Sequence, residues 1–250
     1  MHSPLSMWFA AFLALGSSVG ALEVHAQGQE SSRAPIEEFP VSLARFTTSL
    51  LGSSDARLDN IRLAIDALDG RVLEPGEVLS FNEIVGPRTI ERGYQLAPAI
   101  LHEERQIQIG GGICQPASTL FVAGLLSGLS VVERWRHSSP IDYIALGHDA
   151  AIAWGAKDLR LRNDLDQRVR VRFIWSGATL SADVQGEHAP PERYELRTEE
   201  HEAPADAGLP AALPGREIEL YRVLLQNGEE AARELVLRDV YPPTRGRRRE

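Results

Sequence analysis

The chain has a single cysteine, Cys114, and it lies in the run Gly110, Gly111, Gly112, Ile113, Cys114, Gln115, Pro116. Successive glycines admit backbone conformations with positive φ and the close approach of another chain or a substrate. A cysteine in the first turn of a helix faces the positive end of the helix dipole and unpaired N–H groups, both of which favour thiolate over thiol. Around Gly111, Gly112 and Gln115 those N–H groups can also receive an oxyanion that develops during attack on a carbonyl. The bland alternative is an inert structural cysteine in a tight turn.

A thiol nucleophile needs a base, and chain geometry points to His137. A helix over residues 115–127 carries the chain roughly 19 Å from the sulfur. A returning strand over 129–136 covers roughly 26 Å, which brings His137 back level with Cys114 as general base and then general acid. Continuing the count, a strand over 142–146 leaves the site, Gly147, His148 and Asp149 turn at its far end, and Asp158 returns. Asp158 is therefore the residue chosen to orient His137, and His102, at a hairpin tip, is a competing base. Arg88, Arg134 and Arg136 are candidate ligands for a substrate carboxylate, arginine being suited to bidentate contacts.

The elements that must position these residues follow from periodicity and punctuation. A first strand is predicted over 41–51. Asp59 or Asn60 is expected to cap a helix in which Ile61, Ala64, Ile65 and Leu68 recur at helical spacing. Residues 78–85 read as a strand and 98–109 as an extended pair. Residues 115–127 are apolar nearly all round, which predicts a buried helix that Gly128 stops, with Pro116 tolerated in its first turn. Short strands are expected at 130–135, 142–146, 151–154, 158–162, 169–175 and 180–184. A last hairpin is expected around Asn227 and Gly228. The fold class predicted is α+β, an antiparallel sheet with a long buried helix whose N-terminus carries the cysteine.

Composition removes several function classes. With 250 residues, 43% of them hydrophobic, the chain is long enough for a substantial core. A net charge of −9 argues against nucleic acid as a partner. One cysteine and scattered histidines offer no metal-ligand spacing, so neither metal nor cofactor is expected. Residues 7–15 are apolar over the length of a signal-peptide core, too short for a span of roughly 20 residues. The predicted organisation is a signal peptide over 1–26, a linker over 27–38, a core domain over 39–186 and a loop or linker over 187–216. A hairpin packed on the core over 217–242 and a basic tail over 243–250 complete it. An exported, periplasmic or cell-envelope protein follows, whose only membrane contact is peripheral, through that first segment if uncleaved.

The motifs, taken together, resemble one family. Arg57 with Asn60 and Ile61, then Pro75, Gly76 and Glu77, Ser80, Phe81 and Asn82, and Gly86 to Thr89 resemble the VanW domain. So do the glycine and cysteine run with Ser118, Thr119 and Leu120, then Glu133, Arg134, His137, Ser138, Tyr143, Gly147 and Asp149. More weakly, Tyr221 to Val223 and Asp239 with Tyr241 and Pro242 resemble the family's tail. Some VanW domains are regarded as L,D-transpeptidases, so the resemblance implies peptidoglycan stem peptides as partners, Cys114 as nucleophile and His137 as base. Two further readings stand beside it: a cell-wall-binding module without catalysis, and a thiol peptidase or amidase of the wall.

Overall fold

The computed structural model of the protein describes residues 38–101, 104–190, 192–203, 212–213, 215–241 and 244–245. The signal segment, the linker up to residue 37, His102 and most of the basic tail lie outside the described residues. No helix among the described residues is long and apolar enough to cross a membrane.

The first strand, β1 (Val41–Ser49), falls where the sequence predicts one. The helix that follows, α1 (Asp55–Leu68), starts earlier than expected, because Ser54 caps it by accepting a hydrogen bond from the Arg57 N–H at 3.4 Å. Asn60, predicted as a cap, sits instead inside the helix with its side chain fully buried. After β2 (Val72–Leu73) and β3 (Val78–Ser80), the strand expected to run to residue 85 is cut short. Ser80 caps α2 (Phe81–Val85) through its hydroxyl, which accepts from the Glu83 N–H at 3.1 Å. The spacing Ser80-x-x-Glu83 is a capping-box spacing, and it overrides the β propensity of Phe81, Ile84 and Val85.

The antiparallel hairpin of β4 (Leu96–Leu101) and β5 (Glu104–Ile109) delivers the chain to the glycines. Next comes α3 (Cys114–Leu126), whose first residue is the cysteine. Its Leu120, Phe121 and Leu125 are almost wholly buried, each stabilising by about 1.5–3 kcal/mol through burial. Gly128, at φ +94°, ends the run. Beyond β6 (Ser130–Glu133), the strands predicted over 142–146 and 151–154 are absent; turns and one isolated bridge between Ala153 and Lys157 occupy that region.

The remaining strands are β7 (Arg160–Arg162), β8 (Val169–Trp175), β9 (Thr179–Gly186) and β10 (Arg193–Ala203). They are followed by β11 (Ala212–Leu213), β12 (Gly215–Gln226), β13 (Glu229–Tyr241) and β14 (Thr244–Arg245). The class is α+β, with several antiparallel sheets where one was expected. The largest orders its strands β1-β9-β8-β2 and backs α3 and α1. Val169, Val171 and Phe173 of β8 point into the core. Arg172 on the other face pairs with Asp69, and Arg168, just before the strand, pairs with Glu187. A second sheet orders β10-β12-β13 and joins the same core through Leu220. Residues 193–203, read from sequence as loop or linker, form β10, registered against β12 from Arg193 opposite Leu225 to Ala203 opposite Gly215. Nearly all its side chains are partly or wholly exposed. No apolar face therefore marks it as a strand in the sequence.

Candidate active site

Two neighbours fix the glycine turn. Gly110 and Gly112 lie at φ +77° and +109°, the left-handed region that glycine tolerates. Between them, a side chain at Gly111 would collide with the backbone oxygens of Ala97 and Pro98 in β4. The buried amide of Asn60 locks the arrangement from α1: its nitrogen donates to Gln95 O at 2.9 Å and Gly111 O at 3.0 Å, and its oxygen accepts from the Gln95 N–H at 2.8 Å. A central helix position for Asn costs helix propensity. Here three hydrogen bonds offset that cost and tie α1, β4 and the turn together.

Cys114 is half-buried. Its Sγ accepts from the Ile152 N–H at 3.4 Å, and the His137 side chain, which lines the same cleft, interacts with it. Burial raises the thiol, but the hydrogen bond and charge of His137, the Ile152 N–H and the Arg88 guanidinium outweigh it and hold Cys114 below its ordinary value. No side chain caps α3 at Ile113. The N–H groups of Gly112 and Cys114 have no acceptor among the described residues, whereas the Gln115 N–H is bonded to Gly112 O at 3.0 Å.

His137 is 8% exposed and lies between the sulfur and Asp149, itself 2% exposed. Oδ2 of Asp149 is 2.6 Å from His137 Nδ1 and accepts from the His137 backbone N–H at 2.7 Å. With Nδ1 so engaged, Nε2 is the nitrogen left for the sulfur. Burial pulls the imidazolium down, yet the Asp149 and Cys114 contacts prevail and push it up to about 9. Asp149 is held below its ordinary value: burial opposes this, while His137 and the Arg134 guanidinium impose it. Cys114 is thus shifted toward thiolate, His137 toward imidazolium and Asp149 toward carboxylate.

Asp158 does not orient His137. Its Oδ1 accepts from the N–H groups of Asn82 at 2.8 Å and Leu159 at 2.9 Å, and its Oδ2 takes the Ser80 hydroxyl, so it holds the start of α2. Placing Asp149 at a far end assumed an extended strand over 142–146. The compact turns there keep the chain beside its starting point. The Ala151 N–H reaches Trp135 O at 2.7 Å, bringing residues 149–152 alongside 135–137.

A cleft of about 850 Å³ opens over the sulfur, lined by Gly110 to Gln115, Arg57, Arg88, His137, Tyr143 and Trp154. Arg88 donates to Gly86 O at 2.8 Å and Asn82 Oδ1 at 2.7 Å and lies 6.0 Å from the Trp154 ring centre. Its charge thereby stays at the cleft wall. Arg134 and Arg136 do not line the cleft. Arg134 is buried in ion pairs with Asp149 and Asp239. Arg136 donates to His137 O at 2.8 Å and stacks on Tyr241 at 4.8 Å. The Gln115 side chain is likewise structural: it donates to Ser49 O at 2.7 Å and accepts from Arg57 at 2.7 Å.

Sequence reasoning missed Asp149, Arg57, Ser118 and Tyr143 as parts of the site. Ser118 carried a signal, being one turn after Cys114. Its hydroxyl bonds Cys114 O at 2.8 Å, receives the Ala150 N–H at 2.8 Å and lies 3.3 Å from the Tyr143 hydroxyl. Among the described residues the one group within metal-ligand reach is Glu199, His201 and Glu219, on β10 and β12. These residues do not line the cleft, and Arg238 and Tyr221 already occupy the Glu219 carboxylate.

Comparison with known proteins adds a family. A family model described as VanW like protein matches residues 56–185. An uncharacterized protein, YoaR, from Bacillus subtilis is 40% identical over 138 residues, 55% of this chain and 46% of its own length. The vancomycin B-type resistance protein VanW of Enterococcus faecalis is 27% identical over 142 residues, 55% of this chain and 52% of its own length. The chain thus spans about half the length of the curated relatives it matches. No solved structure matches.

Proposed function

We propose, from the premise that this chain belongs to the VanW-like protein family, that it is an exported enzyme of the cell envelope whose Cys114 transfers acyl groups between peptidoglycan stem peptides. The observation that carries this reading is that Cys114 and His137 line one open cleft while Asp149 holds His137 Nδ1 from behind at 2.6 Å. A second support is the name of the Enterococcus relative, which ties that protein to vancomycin resistance.

We take the resting pair as imidazolium and thiolate, the direction in which His137 and Cys114 shift each other. The thiolate attacks a stem-peptide carbonyl carbon, a C–S bond forms, and the carbonyl electron pair moves to oxygen, where the N–H groups of Gly112 and Cys114 are available to receive it. Collapse breaks the C–N bond, and the leaving amine takes the proton from the imidazolium. The thioester then meets an amine of a second stem. Neutral His137 removes a proton from that amine as its nitrogen attacks, the C–S bond breaks, and thiolate and imidazolium are restored. Asp149 holds the imidazole in one orientation and stabilises its charged form. Water in place of the amine gives hydrolysis.

Incubating the purified protein with disaccharide-peptides and reading the products by mass spectrometry tests this. Cross-linked dimers from the wild type, and none from Cys114→Ala, are expected. Shortened stems without dimers would make the protein a carboxypeptidase. Unchanged peptides, bound equally by both forms, would make the cleft a docking surface and end the enzyme reading.

A further inference from the structure

We infer that the C-terminal hairpin belongs to the site, with Asp239 of β13 acting as a positioning residue that fixes Asp149 through the fork of Arg134. The inference deepens the proposed acyl-transfer reading and rests on it for its consequence, because it assigns a task to residues beyond the family-matched segment 56–185.

The Arg134 guanidinium bridges two carboxylates. Its Nη1 donates to both oxygens of Asp239, at 2.8 and 2.6 Å. Its Nη2 donates to Asp149 Oδ1 at 2.8 Å, and its Nε to the Asp149 backbone oxygen at 2.6 Å. The side chains are 5%, 3% and 10% exposed for Arg134, Asp149 and Asp239. A guanidinium is planar and rigid, so pinning one edge sets the direction of the other. Asp149 then has one oxygen held by Arg134 and the other directed at His137.

The hairpin also presses on the loop that carries Asp149. Gly147 lies at φ +78°, and a side chain there would come within 2.9 Å of Ile218 Cγ2 on β12. Tyr241, at the end of β13, places its hydroxyl 3.4 Å from Asp149 Oδ1. Contact on both sides of Asp149 therefore comes from the hairpin.

Charge makes the same demand. A buried Arg134 with Asp149 as its only counter-ion would repel the His137 imidazolium on the far side of that carboxylate. Asp239 neutralises Arg134, so Asp149 faces His137 with more of its own charge uncancelled. Removing the Asp239 charge loosens Asp149 and exposes the imidazolium to Arg134. Both effects favour neutral imidazole, and a neutral imidazole no longer stabilises the thiolate. Of the other charged or titratable groups around the relay, Arg88 and Tyr143 face the sulfur, and His148 and Tyr241 face Asp149.

The test is the pH dependence of Cys114 alkylation by iodoacetamide, measured on the full chain without substrate. Asp239→Asn keeps the shape and removes the charge. Its midpoint is expected to rise by roughly one pH unit, while Asp239→Glu restores most of the wild-type value. Arg238→Ala, on the same strand with its ion pairs outside the site, leaves the midpoint unmoved. A folded Asp239→Asn with the wild-type midpoint, however much its thermal stability falls, overturns the inference and leaves a purely structural clamp. Should that variant not fold, Arg134→Lys, which keeps the charge and loses the fork, carries the same test: a raised midpoint supports positioning and a wild-type midpoint overturns it. A protein that forms no cross-links yet shows the raised midpoint refutes acyl transfer alone. Cross-linking with an unmoved midpoint refutes the relay alone.

Discussion

Replacing Asp149 with Asn probes the site at its centre. In the folded protein His137 stands at about 9, although burial works against its charge. An adjacent opposite charge favours the ionised form by roughly 1–3 pH units, so the variant's imidazolium is expected to titrate between about 6 and 8. A histidine whose folded value exceeds its unfolded value stabilises the fold fully below the unfolded value, near 6.5, and loses that contribution as pH rises through about 9. At about 1.4 kcal/mol per unit, the variant's deficit in stability should be about 1–4 kcal/mol larger at pH 6 than at pH 10. A constant loss remains at both, since an amide NH2 would then face the His137 donors or Arg134, costing about 1–3 kcal/mol. Acyl transfer should fall by roughly 10²–10⁴. Imidazole NMR titration gives the midpoint, and urea unfolding at the two pH values gives the difference. An Asp149→Asn variant whose His137 titrates within a few tenths of a unit of wild type would refute the reasoning.

Asp158→Asn should behave oppositely. It weakens the acceptor for Asn82 N–H at the start of α2, so a stability loss of about 1 kcal/mol with an unchanged thiol pH profile is expected from urea unfolding and alkylation. Gly111→Ala places a methyl group 2.8 Å from Pro98 O and still nearer Ala97 O. Both obstacles are backbone, so β4 must shift. Loss of soluble expression, or a fall in melting temperature corresponding to more than about 3 kcal/mol, is expected by circular dichroism.

How far the sequence announces this site depends on the kind of contact. Cys114 at a helix start and His137 beside it were legible because both depend on short, regular elements whose lengths convert to distance: a helix out, a strand back. Asp149 was not legible by that arithmetic, because residues 138–148 fold into turns in which chain length no longer measures displacement. The resemblance quoted Asp149 within a motif without giving it a task. Strands whose side chains alternate between core and solvent, such as β8, were readable. By contrast β10 is recruited by the unpaired edge of β12 and needs little hydrophobicity of its own. The helix at residues 81–85 is decided by Ser80 and Asp158, one of them 78 positions away from the other in sequence.

The same contrast bears on how a lone half-buried cysteine is shifted toward thiolate. A single buried ion pair gains little over its desolvation cost, whereas breaking one is expensive. Under the proposed reading charges alternate along the series: sulfur negative, His137 positive, Asp149 negative, Arg134 positive, Asp239 negative. Each interior member has an opposite charge on both sides, so its desolvation is offset twice. Of the two terminal members, Cys114 opens toward the cleft while Asp239 is buried at 8% exposure. The sulfur's end must stay accessible if it is to meet a substrate, so the stabilisation has to come from the other end. That end lies in the hairpin, 105 residues beyond Arg134. It follows that residues 56–185 alone, cut from the hairpin, should keep Cys114 and His137 in sequence but lose the shift toward thiolate. In that fragment, where it folds, alkylation at neutral pH should slow toward the rate of an ordinary cysteine with a value near about 8.5.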